Sequence, residues 1–365
     1  MRATTPVWGG GLFFLELTMP ISINPKKASI LLASFMNAST PILLTGAPGV
    51  GKSSLVEAAC KMTGFDLILS HPVVSDPTDA KGLPWLDKDG ESAKFLPFGD
   101  LAKAMRATRP TAWFLDDLGQ ASPAVQASYM QLLLAREVNG HKLPDCVTFV
   151  SATNRRNDRA GVTGILSPVL SRFGTIVEIS VSIDDWTEWA LGADMPPELI
   201  AFLRFRPDLL HAFDAKKMAN DMENFPCPRT WEFVGRTLQM QLPEDLEFAA
   251  TAGAVGEGAA IELRAFLSML RSHLPNPDQI ILDPSSAMIP ARPDMLWAVC
   301  TALTKKASDM NCGRIFQYAE RLHAEGKSEF ATMMVKDIIR QKPDVCNTPA
   351  WAQLAVSNLG KSFLG

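Results

Sequence analysis

The chain has 365 residues, 47% of them hydrophobic and 20% charged, and 35 basic against 39 acidic side chains give a net charge of −4. That length takes two or three domains of the usual ~100–200 residues, and the composition excludes a disordered or collagen-like chain. The near-neutral balance lacks the basic footprint of broad nucleic-acid binding and argues against it, and no run approaches the roughly 18 apolar residues of a membrane helix.

Residues 12–17 form an apolar patch, but Glu16 interrupts it and no A-x-A-like cleavage site follows, so no secretory signal is expected. Residues 1–22 read as a disordered tail or, because Met19 opens a more conventional start, as a mis-assigned translation start. The cysteines at 60, 146, 227, 300, 312 and 346 include no CxxC pair and have no His at zinc-finger spacing. Reduced, mostly buried thiols in a cytoplasmic protein are expected.

Over 41–181, short apolar, β-branched runs alternate with amphipathic stretches, the pattern of parallel strands joined by helices. Strands are predicted at 42–45, 65–69, 112–115, 147–152 and 175–181. Residues 71–109 carry Pro72, Pro77, Pro84 and Pro97 and a turn at 87–90. This connection is longer than the usual few residues, so a functional insertion is expected. Within it, Leu83-Pro84-Trp85-Leu86 reads as a Pro-broken apolar loop that either grips a partner or packs Trp85 back on the core; buried tryptophan is the commoner case. After Val181 the strand signals stop. Helices separated by Pro, Gly and Asn are predicted over 183–192, 196–212, 229–240, 244–271, 293–309, 313–325, 327–340 and 349–362. Trp186, Trp189 and residues 202–205 fall at helical spacing and read as the core of that helical part.

The strongest chemical signal is Gly46-Ala47-Pro48-Gly49-Val50-Gly51-Lys52-Ser53, a complete GxxxxGK[ST] between an apolar strand and an amphipathic helix. The glycines let backbone N–H groups close around a β-phosphate, and the helix that continues through Ser54 turns its positive end toward it. Lys52 then bridges the β- and γ-phosphates of ATP, and Ser53 ligates Mg2+. Such a loop needs an acid at a neighbouring strand end, and the run 112–117 ends in Asp116-Asp117. Asp116 is the expected magnesium carboxylate, through water. Asp117, one residue on, is expected to orient or deprotonate the attacking water. The plainer reading is two acids opening a loop before a helix with Ser122 as N-cap and Pro123 as its first residue. The run 147–152 leads into Thr153-Asn154, where the amide can bond the same water.

These features together resemble the AAA+ ATPases: a P-loop, an acidic strand end, a strand ending in Ala152-Thr153-Asn154, and a helix ending in Ser171-Arg172-Phe173. Residues 120–173, with a hairpin-like Arg136-Glu137-Val138-Asn139-Gly140-His141, resemble the MoxR-like branch (dynein-related AAA domain type). Pro228-Arg229-Thr230-Trp231-Glu232 is similar to that branch's second-sensor region. The resemblance covers about 23–270. It implies an α/β fold, a P-loop AAA+ three-layer αβα core with a parallel five-stranded sheet over 23–182, then an α-helical lid over 183–245. A helical C-terminal extension over 246–365 completes the chain. It also implies Asn154 as first sensor, Arg172 as an arginine finger offered to the next subunit, and Arg229 as second sensor on the lid. Plainer roles are a surface salt bridge for Arg172 and a pairing with Glu232 for Arg229; Arg155, Arg156 and Arg159 lie near the same expected interface. The implied activity is hydrolysis of ATP to ADP and phosphate by a homo-oligomeric ring, a hexamer, that remodels a protein partner, often one with a von Willebrand factor A domain. One departure stands out: the family's usual Asp-Glu is Asp116-Asp117 here, and the shorter second acid points to slow hydrolysis. That keeps open a nucleotide-gated scaffold with little turnover, while the charge balance weighs against a DNA-directed motor or loader. A metabolite kinase would leave Arg172, Arg229 and the helical tail without a role.

Overall fold

The computed structural model describes residues 21–364 except 89, 156, 157, 159–163 and 214–223. In chain order the first part holds β1 (Ser22–Ile23), α1 (Pro25–Asn37), β2 (Ile42–Gly46), α2 (Lys52–Thr63), β3 (Asp66–Ser70), α3 (Pro77–Lys81), β4 (Leu83–Leu86), β5 (Ala93–Leu96), α4 (Gly99–Met105) and β6 (Thr111–Leu115). There follow α5 (Pro123–Ser128), α6 (Met130–Ala135), β7 (Glu137–Val138), β8 (His141–Lys142), β9 (Val147–Asn154), α7 (Ser167–Leu170) and β10 (Thr175–Ile179). The rest is helical: α8 (Ile183–Gly192), α9 (Pro197–Phe205), α10 (Pro228–Gln239), α11 (Glu244–Val255), α12 (Glu257–His273), α13 (Pro277–Leu282), α14 (Pro293–Lys306), α15 (Cys312–Ala324), α16 (Ser328–Gln341), α17 (Pro349–Val356) and α18 (Asn358–Leu364).

The main sheet is parallel throughout, in the order β1-β10-β2-β9-β6-β3. The five predicted strands are all in it, and β1 adds a two-residue edge strand, Ser22 beside Glu178, too short to leave a pattern in sequence. Every residue of β2 and β6 is buried, because both faces are covered. On one face Leu43, Trp113, Leu115 and Phe149 pack with Tyr129, Leu132 and Val169; on the other Leu44, Phe114 and Val150 pack with Leu32 and Met36 of α1 and Val56 of α2. This is the three-layer α/β core. Register sets Gly46 at the end of β2 beside Asn154 at the end of β9, so both tips open on the same edge. The chain leaves β2 for the far edge strand and returns to its other side at β10, the kind of switch point where open α/β sheets form a ligand crevice.

The insertion is not the Pro-broken loop expected from its prolines. It forms an antiparallel hairpin, β4 with β5, in which Pro84 faces Phe95. Proline is tolerated there because β4 has a single partner and needs no second ladder bond. Nor does Trp85 pack back on the core: it is 63% exposed and Leu86 65%. A second hairpin, β7 with β8, turns at Asn139 and Gly140 with φ of 51° and 82°, as a tight two-residue connection requires. The hairpins are tied together, Asn139 Nδ2 donating to the Lys81 carbonyl at 2.9 Å and His141 Nε2 lying 2.7 Å from the Phe95 carbonyl.

Beyond β10 the helices pack around two cores. One joins Trp186, Leu199, Phe202 and Trp231 to Val255, Leu263, Phe266 and Met295, so it runs past residue 245 through α11, α12 and α14. The other gathers Ile315, Tyr318, Met334, Ile338 and Val345. The helix predicted over 244–271 is two helices, broken at Gly256 with φ 81°. The one predicted over 196–212 stops at Phe205 because Pro207 disfavours helical geometry at Arg206. All six cysteines are unpaired, with burial pushing the Cys60 thiol up to about 11 and Cys300 to about 12. Among the described residues no helix is long and apolar enough to cross a membrane.

Candidate functional site

The site begins with the backbone of the glycine-rich loop. Gly49 and Gly51 have φ of 76° and 90°, a region open to glycine and costly to other residues. That path brings residues 46–51 round to the start of α2, whose first N–H groups are free to bind an anion. The loop also carries part of the helical region, since the Arg229 N–H donates to the Gly49 carbonyl at 3.3 Å. A Cβ on Gly49 would stand 2.3 Å from Cys227 Sγ.

Lys52 is the first residue of α2 and only 7% exposed. Its Nζ donates to the Gly46 and Ala47 carbonyls, each at 3.0 Å, and to Asn154 Oδ1 at 2.7 Å. Burial lowers its pKa to about 8 against the opposing pull of Asp117 and Asp116. All three direct partners of the ammonium are neutral oxygens, so the nearby carboxylates offset its burial only in part.

One helical position on, Ser53 Oγ donates to Asp116 Oδ2 at 2.7 Å, while Asp116 Oδ1 accepts the Asp117 N–H at 3.0 Å. A hydroxyl and a carboxylate thus converge where β6 ends. No cluster of three or more His, Cys, Asp or Glu occurs among the described residues. Two oxygen ligands with room for phosphate and water suit Mg2+, which keeps several waters, better than a cation needing a full protein cage. Asp117 follows in left-handed backbone, φ 56°, and its Oδ1 accepts from Gln120 Nε2 at 2.7 Å. Of the acids near the Lys52 ammonium, Asp117 favours its charge most.

The structure therefore brings together the P-loop, Asp116, Asp117 and Asn154. Arg229, exposed in the first turn of α10, is close enough to disfavour charge on Lys52, and Glu232 pairs with Arg236. Arg172 lies elsewhere. It precedes Thr175, which sits beside Ile42 at the opposite edge of the sheet, and its guanidinium donates to the Met130 carbonyl at 2.9 Å and to that of Pro168. Arg155 is held within the same chain by Asp158 at 2.9 Å and Glu178 at 2.9 Å; Arg156 and Arg159 lie outside the described residues.

Sequence reasoning missed a cleft of ≈ 460 Å³ beside the loop. Ala47 and Val50 meet Ile179, Val181, Ile183, Leu210 and His211 there. Burial lowers the His211 pKa, and its Nε2 is buried without a partner. No short motif marks this cleft, since its walls come from five separate stretches of chain.

Residues 42–181 match the sequence model of the ATPase family associated with various cellular activities (AAA). That stretch is similar to AAA domains and spans the P-loop and strands β2 to β10. The chain is also 28% identical over 186 residues to midasin of Giardia intestinalis, a match spanning 48% of this chain and 4% of midasin. Similar solved structures include the RuvB Holliday junction branch migration motor of Thermotoga maritima, 16% identical with a TM-score of 0.37, covering 76% of this chain and 80% of that one. NtrX of Brucella abortus in complex with ADP is 13% identical with a TM-score of 0.38, covering 90% of this chain and 66% of that one.

Proposed function

We propose that this chain binds Mg·ATP at its P-loop and hydrolyses it as a homo-oligomeric ring of MoxR-like type, coupling turnover to remodelling of a protein partner. The observation that carries the reading is the meeting of a buried Lys52, the Ser53–Asp116 pair and the Asp117 carboxylate at one sheet edge. In this reading residues 23–182 hold the nucleotide, 183–245 act as lid, and 246–365 extend it. The backbone N–H groups that residues 46–54 carry, Pro48 having none, and Lys52 hold the β- and γ-phosphates, and the cleft at Val50, Ile179 and Leu210 takes the base. Ser53 and Asp116 hold Mg2+, which when bound offsets phosphate charge. Asp117 accepts a proton from water as its oxygen bonds the γ-phosphorus and the bond to the β–γ bridging oxygen breaks, giving ADP and phosphate. Asn154 orients the phosphates and Lys52, Arg229 adds charge from the lid, and Arg172 serves a neighbouring subunit's site. The exposed Trp85 and Leu86 of the β4–β5 hairpin suit a grip on a protein partner, one with a von Willebrand factor A domain being the MoxR-like pattern.

A second reading, a ring gated by nucleotide with little turnover, is favoured by one feature: Asp117 is one methylene shorter than the glutamate usual there. Turnover measured with and without partner separates the two. The binding half of the proposal is tested by calorimetry. Lys52→Ala should abolish tight ATP binding, because no other cation of the loop can replace the ammonium; unchanged affinity would remove the P-loop assignment.

A further inference from the structure

The turn after β6 brings one more side chain to the proposed machinery. Gln120 Nε2 donates to Asp117 Oδ1 at 2.7 Å, and Gln120 Oε1 lies 3.5 Å from the Thr153 hydroxyl, whose nearer acceptor is the Asn154 carbonyl at 3.1 Å. The Gln120 N–H also donates to the Asp117 carbonyl at 3.0 Å. Backbone and side chain of Gln120 therefore both return to Asp117. The approach is close because Gly119 lies between: a Cβ there would stand 2.2 Å from Thr153 Oγ1, so a larger residue would push the turn away from the tip of β9. That tip serves two clients. Asn154 accepts from Lys52, and the adjacent Thr153 lies against the Gln120 amide.

An aspartate at a left-handed turn can still rotate about its two side-chain torsions, and the second of them is broad. An amide on one oxygen fixes that rotation and leaves the other oxygen free. We infer that Gln120 is a positioning residue for hydrolysis, holding Asp117 Oδ1 so that Oδ2 is aimed at the attacking water. The inference rests on the proposed role of Asp117 as the water-orienting carboxylate. Gln120 touches neither nucleotide nor water in this account; it acts through Asp117 alone. Misplacing a reacting group by about 1 Å costs up to about 100-fold in rate.

The test is steady-state ATP turnover by the full chain bearing Gln120→Leu, Asp117→Asn, or both, with ATP affinity measured in parallel. Gln120→Leu should lower kcat about 10- to 100-fold while leaving KM and ATP affinity within about twofold, the split expected of an interaction used only in the transition state. Adding it to Asp117→Asn should cause no further loss, because the carboxylate it positions is already gone. If Gln120→Leu unfolds the turn, seen as a lowered Tm, the near-isosteric Gln120→Glu keeps the packing, removes the donor, and should lower kcat in the same way. Parental kcat in Gln120→Leu or Gln120→Glu, with Asp117→Asn inactive, would overturn the positioning role and leave Asp117 standing. An equal further loss in the Asp117→Asn background would overturn it as well, by showing that Gln120 acts elsewhere. Parental turnover by Asp117→Asn would instead remove the reading of Asp117 and this inference with it.

Discussion

Gly49 meets two demands at once. Its φ of 76° lies where a side chain is strained, and a Cβ would run into Cys227 Sγ at 2.3 Å. Cys227 is 2% exposed and precedes α10, and its Cβ would also stand 3.0 Å from the added one, so turning the thiol aside leaves a contact that presses on the start of the helix carrying Arg229. Gly49→Ala should therefore lower stability by about 1–3 kcal/mol from backbone strain and weaken ATP binding by pushing α10 off the loop. Adding Cys227→Gly should recover part of the loss, the clash but not the strain. Unchanged Tm and ATP affinity in Gly49→Ala would show that the loop does not bear the helix. The loop itself is legible in sequence because its residues are contiguous and their spacing is the chemistry. Cys227 and His211 are not, because each becomes relevant only through contact with a loop far away in the chain. Gln120 sits three residues from Asp117, yet nothing in its neighbours says that its amide turns back to that carboxylate.

Among the elements, the parallel strands are legible because burial on both faces demands continuous apolar, β-branched runs such as Ile42-Leu43-Leu44. The β4–β5 hairpin is not, because Leu83, Trp85 and Leu96 line one face and Pro84, Leu86 and Phe95 the other, which erases the alternation that marks a half-buried strand. Gly256 hid the break between α11 and α12, since a glycine inside a helical pattern is tolerated and does not by itself locate an end. The short α7 matters for the proposed ring. It sets Arg172 at the sheet edge away from its own Lys52, so in the proposed ring its effect on hydrolysis crosses an interface. Arg172→Ala should retain ATP binding and lose hydrolysis, because a finger compensates charge that develops in the transition state. Mixed with Lys52→Ala, each inactive alone, it should regain activity where one subunit's intact site meets the other's intact arginine. Sedimentation in the same buffer must show mixed oligomers; if they form and no activity returns, Arg172 does not act in trans.

At the scale of the whole molecule, α16 near the C-terminus is joined to α9 by an ion pair that solvent barely reaches. Arg204 of α9 and Asp337 of α16 are 7% and 4% exposed, and the Arg204 guanidinium also lies 5.6 Å from the ring centre of Trp297 on α14. Three helices from two cores thus meet at one buried cation. Desolvating both charges offsets much of their attraction, so the pair contributes little net stability, whereas either member left alone is costly. Asp337→Leu should destabilise the chain by about 3–5 kcal/mol by stranding the buried guanidinium. Arg204→Met combined with Asp337→Leu should recover most of that, since methionine refills the space over Trp297 without a charge. Thermal unfolding of the three variants checks both statements, and the double variant is the more informative. If it is as unstable as Asp337→Leu alone, the pair supplies binding between α9 and α16 that apolar packing cannot replace; if Asp337→Leu itself is neutral, the buried pair does not join them at all.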